Sequence, residues 1–295
     1  MKNKTNNNFK LLMAGIFFAI LWASASAATK IGLQSAQPFV MAVTRFFIAG
    51  FIMLFLSHII LKKRLPQKNE WKQLAIYGLL NISIYLGLFV LAMQQLSAGL
   101  GSLSIATNPV FISIISAIWF KQKIKPSTIF SLLLCTAGVV VAAYPLLQNS
   151  FATPQGLIIL IISMFSYSAG SLYVSHKKWN GLHILTINGW QTLLGGIFLL
   201  PFAFFFYDES KNLYDIKWLG SLLWLAIPVS IFAVQLWLYL LKDDPVKAAF
   251  WLFLCPVFGF IIAALVMHEP ISLYTLIGVL FVIAGLYIVQ KNKAV

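Results

Sequence analysis

The amino-acid sequence predicts an all-α integral membrane protein, with ten transmembrane helices arranged as two inverted five-helix repeats. Three observations lead there. The 295 residues are 60% hydrophobic and only 9% charged, where a water-soluble chain carries about 25% charged residues. The apolar residues fall into ten runs long enough to cross a bilayer. The basic residues collect between alternate runs, on one side only.

A spanning helix needs about 20 mostly apolar residues. In chain order the runs cover 11–29, 39–61, 72–93, 99–120, 127–147, 155–175, 184–206, 217–240, 246–267 and 272–290. Charges or prolines (Pro38, Pro66, Pro126, Pro154, Pro245 and Pro270) separate them. No run alternates with period two, and each exceeds the roughly ten residues of a barrel strand. The first run also imitates a cleavable signal peptide: Lys2, Lys4 and Lys10 precede Leu11–Trp22, and small residues fill 23–28. The loop charges and the internal repeat favour a retained first helix.

Lys and Arg number 17 in the N-terminus, the C-terminus and loops 2–3, 4–5, 6–7 and 8–9. The alternate loops hold 3, namely Lys30, Lys211 and Lys217. This positive-inside asymmetry predicts a cell-membrane protein with both termini cytoplasmic. It also accounts for the net charge of +14, so no nucleic-acid partner is expected: there is no basic domain and no stacking platform interleaved with arginine. Trp71, Trp119, Trp179 and Trp218 lie at helix ends, where aromatic belts belong. Cys135 and Cys255 fall inside apolar runs and suggest no disulfide framework. Gly15, Ala19, Ala23 and Ala27 form a small-residue ridge suited to close helix packing.

Shifting the chain by 147 residues aligns it with itself without gaps. Pro109-Val110-Phe111 meets Pro256-Val257-Phe258, Ile114-Ile115 meets Ile261-Ile262, and Ala137-Gly138 meets Ala284-Gly285. Helices 4–5 therefore correspond to helices 9–10, giving repeats over 11–147 and 154–290. Five helices is an odd number, so the second repeat enters the membrane inverted. Loop 4–5 is basic, and its counterpart, loop 9–10, carries no Lys or Arg. Inverted repeats are a signature of secondary transporters, in which two halves exchange shapes around one site.

Several short pieces now resemble a known family. These are Trp22-Ala-Ser, Lys30-Ile-Gly-Leu, Arg45-Phe-Phe-Ile-Ala, Leu96-Ser-Ala-Gly, Pro109-Val, Trp190-Gln191, Pro256-Val and His268-Glu269-Pro-Ile. In order and spacing the chain is similar to the EamA type of the drug/metabolite transporter superfamily over nearly its whole length. The resemblance implies alternating-access transport, often outward, of amino acids, related metabolites or amphipathic drugs. The family commonly places Glu at the end of helices 4 and 9. Here Glu269 is present, and its repeat mate is Gln122.

Arg45 is the only formal charge well inside a run. An intramembrane charge reads as a functional site, with helix anchoring the alternative. Asn81 and Tyr85 are four apart and share a helix face. Asn108 precedes Pro109, whose missing N–H frees a backbone carbonyl nearby. Trp22, Tyr167, Trp190, Gln191, Gln235 and Trp251 add polar or amphipathic groups at depth. These ten residues are the candidate binding set for a zwitterionic or aromatic solute, while interhelical hydrogen bonding is the competing role for each.

The seven acidic residues lie in loops or at helix ends, so no mid-membrane proton carrier is expected. Glu269 offers either a proton route or a loop anchor beside Pro270. His58, His176, His183 and His268 have no metal spacing, and no catalytic constellation or cofactor motif is legible. The expected partners are a small solute and the lipid bilayer, with a homodimer among the assemblies open to it. Two other functions remain open: a multi-pass enzyme acting on lipid-linked substrates, for which Asp243-Asp244 is the only acidic pair on the inner side, and a non-transporting scaffold.

Overall fold

Long apolar runs, having no water to satisfy their backbone, must close their hydrogen bonds within the helix. The computed structural model describes residues 2–105, 107–119, 126–148, 152–243, 251–252 and 254–291, and these contain helices and no strand. Gln122 and Asp244 lie outside them. In chain order the helices are α1 (Lys2–Gly32), α2 (Pro38–Leu54), α3 (Asn69–Gly78), α4 (Tyr85–Gln95), α5 (Ala98–Ile105), α6 (Asn108–Trp119), α7 (Pro126–Gln148), α8 (Pro154–His176), α9 (Ile184–Phe205), α10 (Ile216–Trp224), α11 (Val234–Asp243), α12 (Leu254–Met267) and α13 (Leu273–Lys291). Wider π-helical turns extend α2 over Phe55–Ile60, join α3 to α4 over Leu79–Ile84, and join α10 to α11 over Leu225–Ala233.

Among the described residues, six continuous helical stretches are long and apolar enough to cross a membrane: Lys10–Gly32, Pro38–Ile60, Asn69–Gln95, Pro154–His176, Ile184–Phe205 and Ile216–Trp237, with shorter apolar helices at Ile129–Ala142, Leu254–Met267 and Leu273–Gly285. Large apolar side chains such as Phe51, Phe55, Phe165, Phe204 and Leu280 point outward. In water such a surface would aggregate; lipid is its natural solvent. The sequence expected one unbroken helix over 99–120. Instead α5 ends at Ile105, and Thr107 turns back to bond Ser104 through both its backbone N–H and its hydroxyl. Pro109 has no N–H to continue the ladder from α5, and it falls in the first turn of α6, where that missing donor is tolerated.

Packing groups the chain into two compact units, each drawing on both halves of the sequence. The first comprises Met1–Ala27, Gln95–Pro154 and Pro228–Val295, and the second Ala28–Gln94 and Gln155–Ile227.

In the first unit, the ridge of Gly15, Ala19 and Ala23 is buried. Gly15 lies against the Trp251 indole, and Ser102 donates to the Ala23 carbonyl at 3.0 Å. Helices α7 and α13 cross antiparallel on glycine. A Cβ built at Gly138 would fall 2.6 Å from the Gly278 carbonyl oxygen and 2.9 Å from Val282 Cγ2. One built at Gly285 would fall 2.7 Å from Cys135 Sγ and 3.0 Å from the Ser131 carbonyl oxygen. Moving both partners by 147 exchanges these contacts: 138 with 278 becomes 285 with 131, and 138 with 282 becomes 285 with 135. Beyond α12, His268 takes a left-handed φ of 54°. The buried Glu269 carboxylate then accepts from the backbone N–H groups of Ala98 (2.6 Å) and Gly99 (3.1 Å). A carboxylate there satisfies orphan donors and the positive end of α5. The anchoring contact, one of the two roles open to Glu269, is thus in place.

In the second unit α2 and α9 also run antiparallel. Gly50 packs on Leu193, Gly196 on Phe46 and Phe47, and Gly189 on Leu54, while Ser57 and Thr186 share a hydroxyl bond of 2.6 Å. A polar clasp closes each end of this pair. At one end Arg64 forks onto Glu70 with two bonds of 2.8 Å and donates to the carbonyls of Trp179 and Asn180. At the other, Gln37 bonds Asn212, Asp208 and the Phe206 carbonyl. Asp215 caps α10 through the Trp218 N–H, and that bond holds its carboxyl below the usual range.

Candidate substrate-binding site

Six of the ten candidate residues belong to the second unit: Arg45, Asn81, Tyr85, Tyr167, Trp190 and Gln191. Arg45 lies seven residues into α2 and is only 8% exposed, so it does not snorkel to a surface. It lines a crevice with Thr29, Met41, Phe46, Leu86, Phe89 and Leu225. In this conformation the crevice has room for about one water molecule. Arg45 and Thr29 are the polar residues of an otherwise apolar lining, and the Thr29 hydroxyl finds no hydrogen-bond partner among the described residues. The guanidinium carbon stands 5.5 Å from the Phe46 ring centroid, and Tyr85 lies within its electrostatic reach.

Tyr85 leads to a second polar group. Its ring tilts against Tyr167 with centroids 4.8 Å apart. On the same helical rod, Asn81 Nδ2 donates to Gln191 Oε1 at 3.3 Å, and Gln191 Nε2 donates to Asn188 Oδ1 at 3.2 Å. Tyr77 lies within electrostatic reach of the Gln191 side chain. Small residues permit the approach: a Cβ at Gly78 would meet the Gln191 carbonyl oxygen at 2.6 Å. The π turn at 79–84 loosens the backbone ladder. Hydroxyls from α8 fill in, Ser166 donating to the Leu80 carbonyl (2.8 Å) and Ser163 to the Tyr85 carbonyl (2.9 Å). Tyr77 and Thr29 are absent from the sequence-derived set. The signal for Tyr77 was legible, since 77, 81 and 85 form a stripe at four-residue spacing.

Trp190 is drawn away from this group. Neighbouring residues on a helix point about 100° apart, so Trp190 leaves the face that Gln191 occupies. Its indole N–H donates to His58 Nε2 at 3.1 Å, and its ring meets Trp71 edge-on at 4.7 Å.

The other four candidates belong to the first unit. Trp22 tilts on Phe18 (5.6 Å between centroids), which stacks on Trp237 (5.0 Å), and Trp251 packs in the same cluster. Gln235 Nε2 is buried without a partner among the described residues, and Asn108 is buried at the start of α6. No group of three or more His, Cys, Asp or Glu able to hold a metal occurs among the described residues.

The EamA-like transporter family matches residues 9–144 and again residues 154–290. The chain belongs to this family. Among its relatives is an uncharacterized transporter of Archaeoglobus fulgidus, 29% identical, the match covering 92% of this chain and 95% of that one. Protein PecM of Dickeya dadantii is 27% identical over 95% of this chain and 92% of its own. A probable amino-acid metabolite efflux pump of Escherichia coli is 24% identical over 92% of each. One solved crystal structure superposes with a TM-score of 0.67 at 16% identity, covering 97% of this chain and 98% of the other, a likeness that shows the fold alone. Family and helices together make this EamA-family chain a multi-pass membrane protein, in a family of transporters rather than enzymes.

Proposed function

We propose that this chain is a secondary transporter that moves small polar or amphipathic metabolites, such as amino acids or related drugs, out across the cytoplasmic membrane by alternating access. The observation that carries this is the buried Arg45 guanidinium, which lines an otherwise apolar crevice on α2, in the same unit as the tilted Tyr85–Tyr167 pair and the line of three amides. Burying such groups in a membrane is costly, and function is the usual reason for keeping them. Arg45 and Thr29 suit the carboxylate of an amino-acid-like solute, and the tyrosine rings suit its apolar body. The name of the Escherichia coli relative agrees in both substrate class and direction.

Ten spans in two inverted repeats, 11–147 and 154–290, complete the proposal. The antiparallel crossing of α7 and α13, whose contacts exchange under the 147-residue shift, is what a two-fold axis in the membrane plane generates. With 17 basic residues on one side and 3 on the other, both termini face the cytoplasm. A periplasm-active reporter fused after Val295 should stay silent, and one inserted near Asn149 should be active; the reverse pattern would reject the map.

The decisive functional experiment compares all small metabolites inside and outside cells with and without the protein, then measures flux of any responding solute into vesicles containing purified protein. Extracellular accumulation of an amino-acid-like solute is expected. No differential solute, and no vesicle flux of any kind, would sink the transport proposal.

A further inference from the structure

We infer that the crevice shared by Arg45 and Thr29 is a site for a monatomic anion, chloride in the cell, which occupies it whenever the solute's carboxylate does not. This rests on the transport reading above and adds to it a second ligand and a means of coupling.

Charge comes first. A guanidinium keeps its proton in proteins, and Arg45 holds that charge at 8% exposure in a helix long and apolar enough to cross lipid. A buried charge is costly unless a counter-charge and hydrogen bonds meet it. The four acidic residues of this unit are engaged or placed elsewhere. Glu70 takes the fork of Arg64, Asp208 pairs with Lys211 at 3.0 Å, Asp215 caps α10, and Glu209 is exposed in the loop before it. None of them lines the crevice. Within this unit, a negative charge at the crevice has to arrive with a ligand.

Donors come second. A threonine in a helix commonly bonds its hydroxyl to the carbonyl one turn back, and Thr44 does so on Val40 at 2.7 Å. Thr29, in α1, does not: its buried hydroxyl has no hydrogen-bond partner among the described residues. It neither donates to its own helix nor accepts from Arg45. The guanidinium has five N–H donors and accepts nothing, so what both side chains can bind at once is an acceptor.

Size then selects among acceptors. In this conformation the crevice has room for about one water molecule, and its other walls, among them Met41, Phe46, Leu86 and Leu225, are apolar. A carboxylate with a carbon body, or a tetrahedral oxyanion, is too large for that space; a halide is not. Water fits but brings no charge. The same donors therefore serve two anions in turn: the solute's carboxylate when the crevice opens, and chloride when it closes without solute. Solute and chloride alternate at one site, and each crossing is made with the Arg45 charge compensated.

The test uses the purified full-length protein in nanodiscs of zwitterionic lipid, with potassium gluconate exchanged stepwise for potassium chloride at constant ionic strength and no solute added. Chloride is expected to raise the unfolding temperature along a saturating curve, and bromide to do the same. Thr29→Val removes the hydroxyl and keeps the shape, so the half-saturating chloride concentration should rise about tenfold, the effect of losing one hydrogen bond to an ion. Thr44→Val is the control: its hydroxyl is already used by its own helix, and it should respond as wild type does. Arg45→Ala should lose the response; because that variant can also lose stability, the Thr29→Val curve carries the test on its own. An unfolding temperature indifferent to the exchange, or Thr29→Val and wild type responding alike, would overturn the inference and leave the crevice a water site. Any carboxylate solute that the metabolite survey finds should raise the half-saturating chloride concentration, and additive binding of the two would overturn the alternation. None of these measurements reads flux. Chloride binding can therefore fail while transport stands, and absence of any flux removes the transport proposal while the binding curve still reports on the anion site.

Discussion

Arg45→Ala is expected to lower solute flux by more than about tenfold while the protein still inserts in the membrane in near-normal amount. The guanidinium is buried on α2 and lines the crevice with Thr29. A hydrogen bond from such a group to an anionic ligand is worth about 1.5–3 kcal/mol, and tenfold in affinity is about 1.4 kcal/mol. Stability should change less, because deleting the side chain also removes a desolvated charge that helix packing had to accommodate. Arg45→Lys keeps the charge and loses the planar fork, so it should recover only part of the flux. Flux per folded molecule, with abundance quantified separately, decides the matter. Low abundance with normal flux per molecule would assign Arg45 to helix anchoring, and full flux at normal abundance would remove both roles.

The largest structural effect is expected at the crossing of α7 and α13. Gly138→Ala places a methyl 2.6 Å from a backbone oxygen that cannot rotate away, and Gly278→Ala does the same from the opposite helix at 2.5 Å. The helices must separate, at a cost of about 1–3 kcal/mol for overpacking. Gly220→Ala is the control, because an added Cβ there meets nothing within 4 Å and alanine favours helix over glycine by about 1 kcal/mol. Thermal unfolding in detergent should rank Gly220→Ala at or above wild type and both crossing variants well below it. Equal stability of Gly138→Ala and Gly220→Ala would show that the crossing is looser than drawn.

The features legible in the sequence are those that the chain writes locally. Apolar run length marks where a helix can cross lipid, loop charge supplies the expectation of which way it points, and likeness at a 147-residue shift exposes the duplication. Each needs only residues near one another, or a comparison of one segment with another, so the all-helical membrane architecture and the family were both within reach.

Convergence of side chains was not. Gln191 and Trp190 are adjacent and both amphipathic, yet the twist of α9 sends one to Asn81 and the other to His58 and Trp71. Asn81 and Gln191 are 110 residues apart, and Glu269 reaches Ala98 across 171; no local pattern pairs such positions. The sequence groups the chain into halves by likeness, whereas packing groups it into units that take segments from both. Which four of the ten candidates would belong to the other unit was settled there. On its own, the sequence determined that the polar groups are buried in lipid-crossing helices and what they are. Only the tertiary structure decided that Arg45 shares a crevice with Thr29, and that three amides join in one line, because side-chain encounters depend on how helices distant in sequence are packed and rotated against one another.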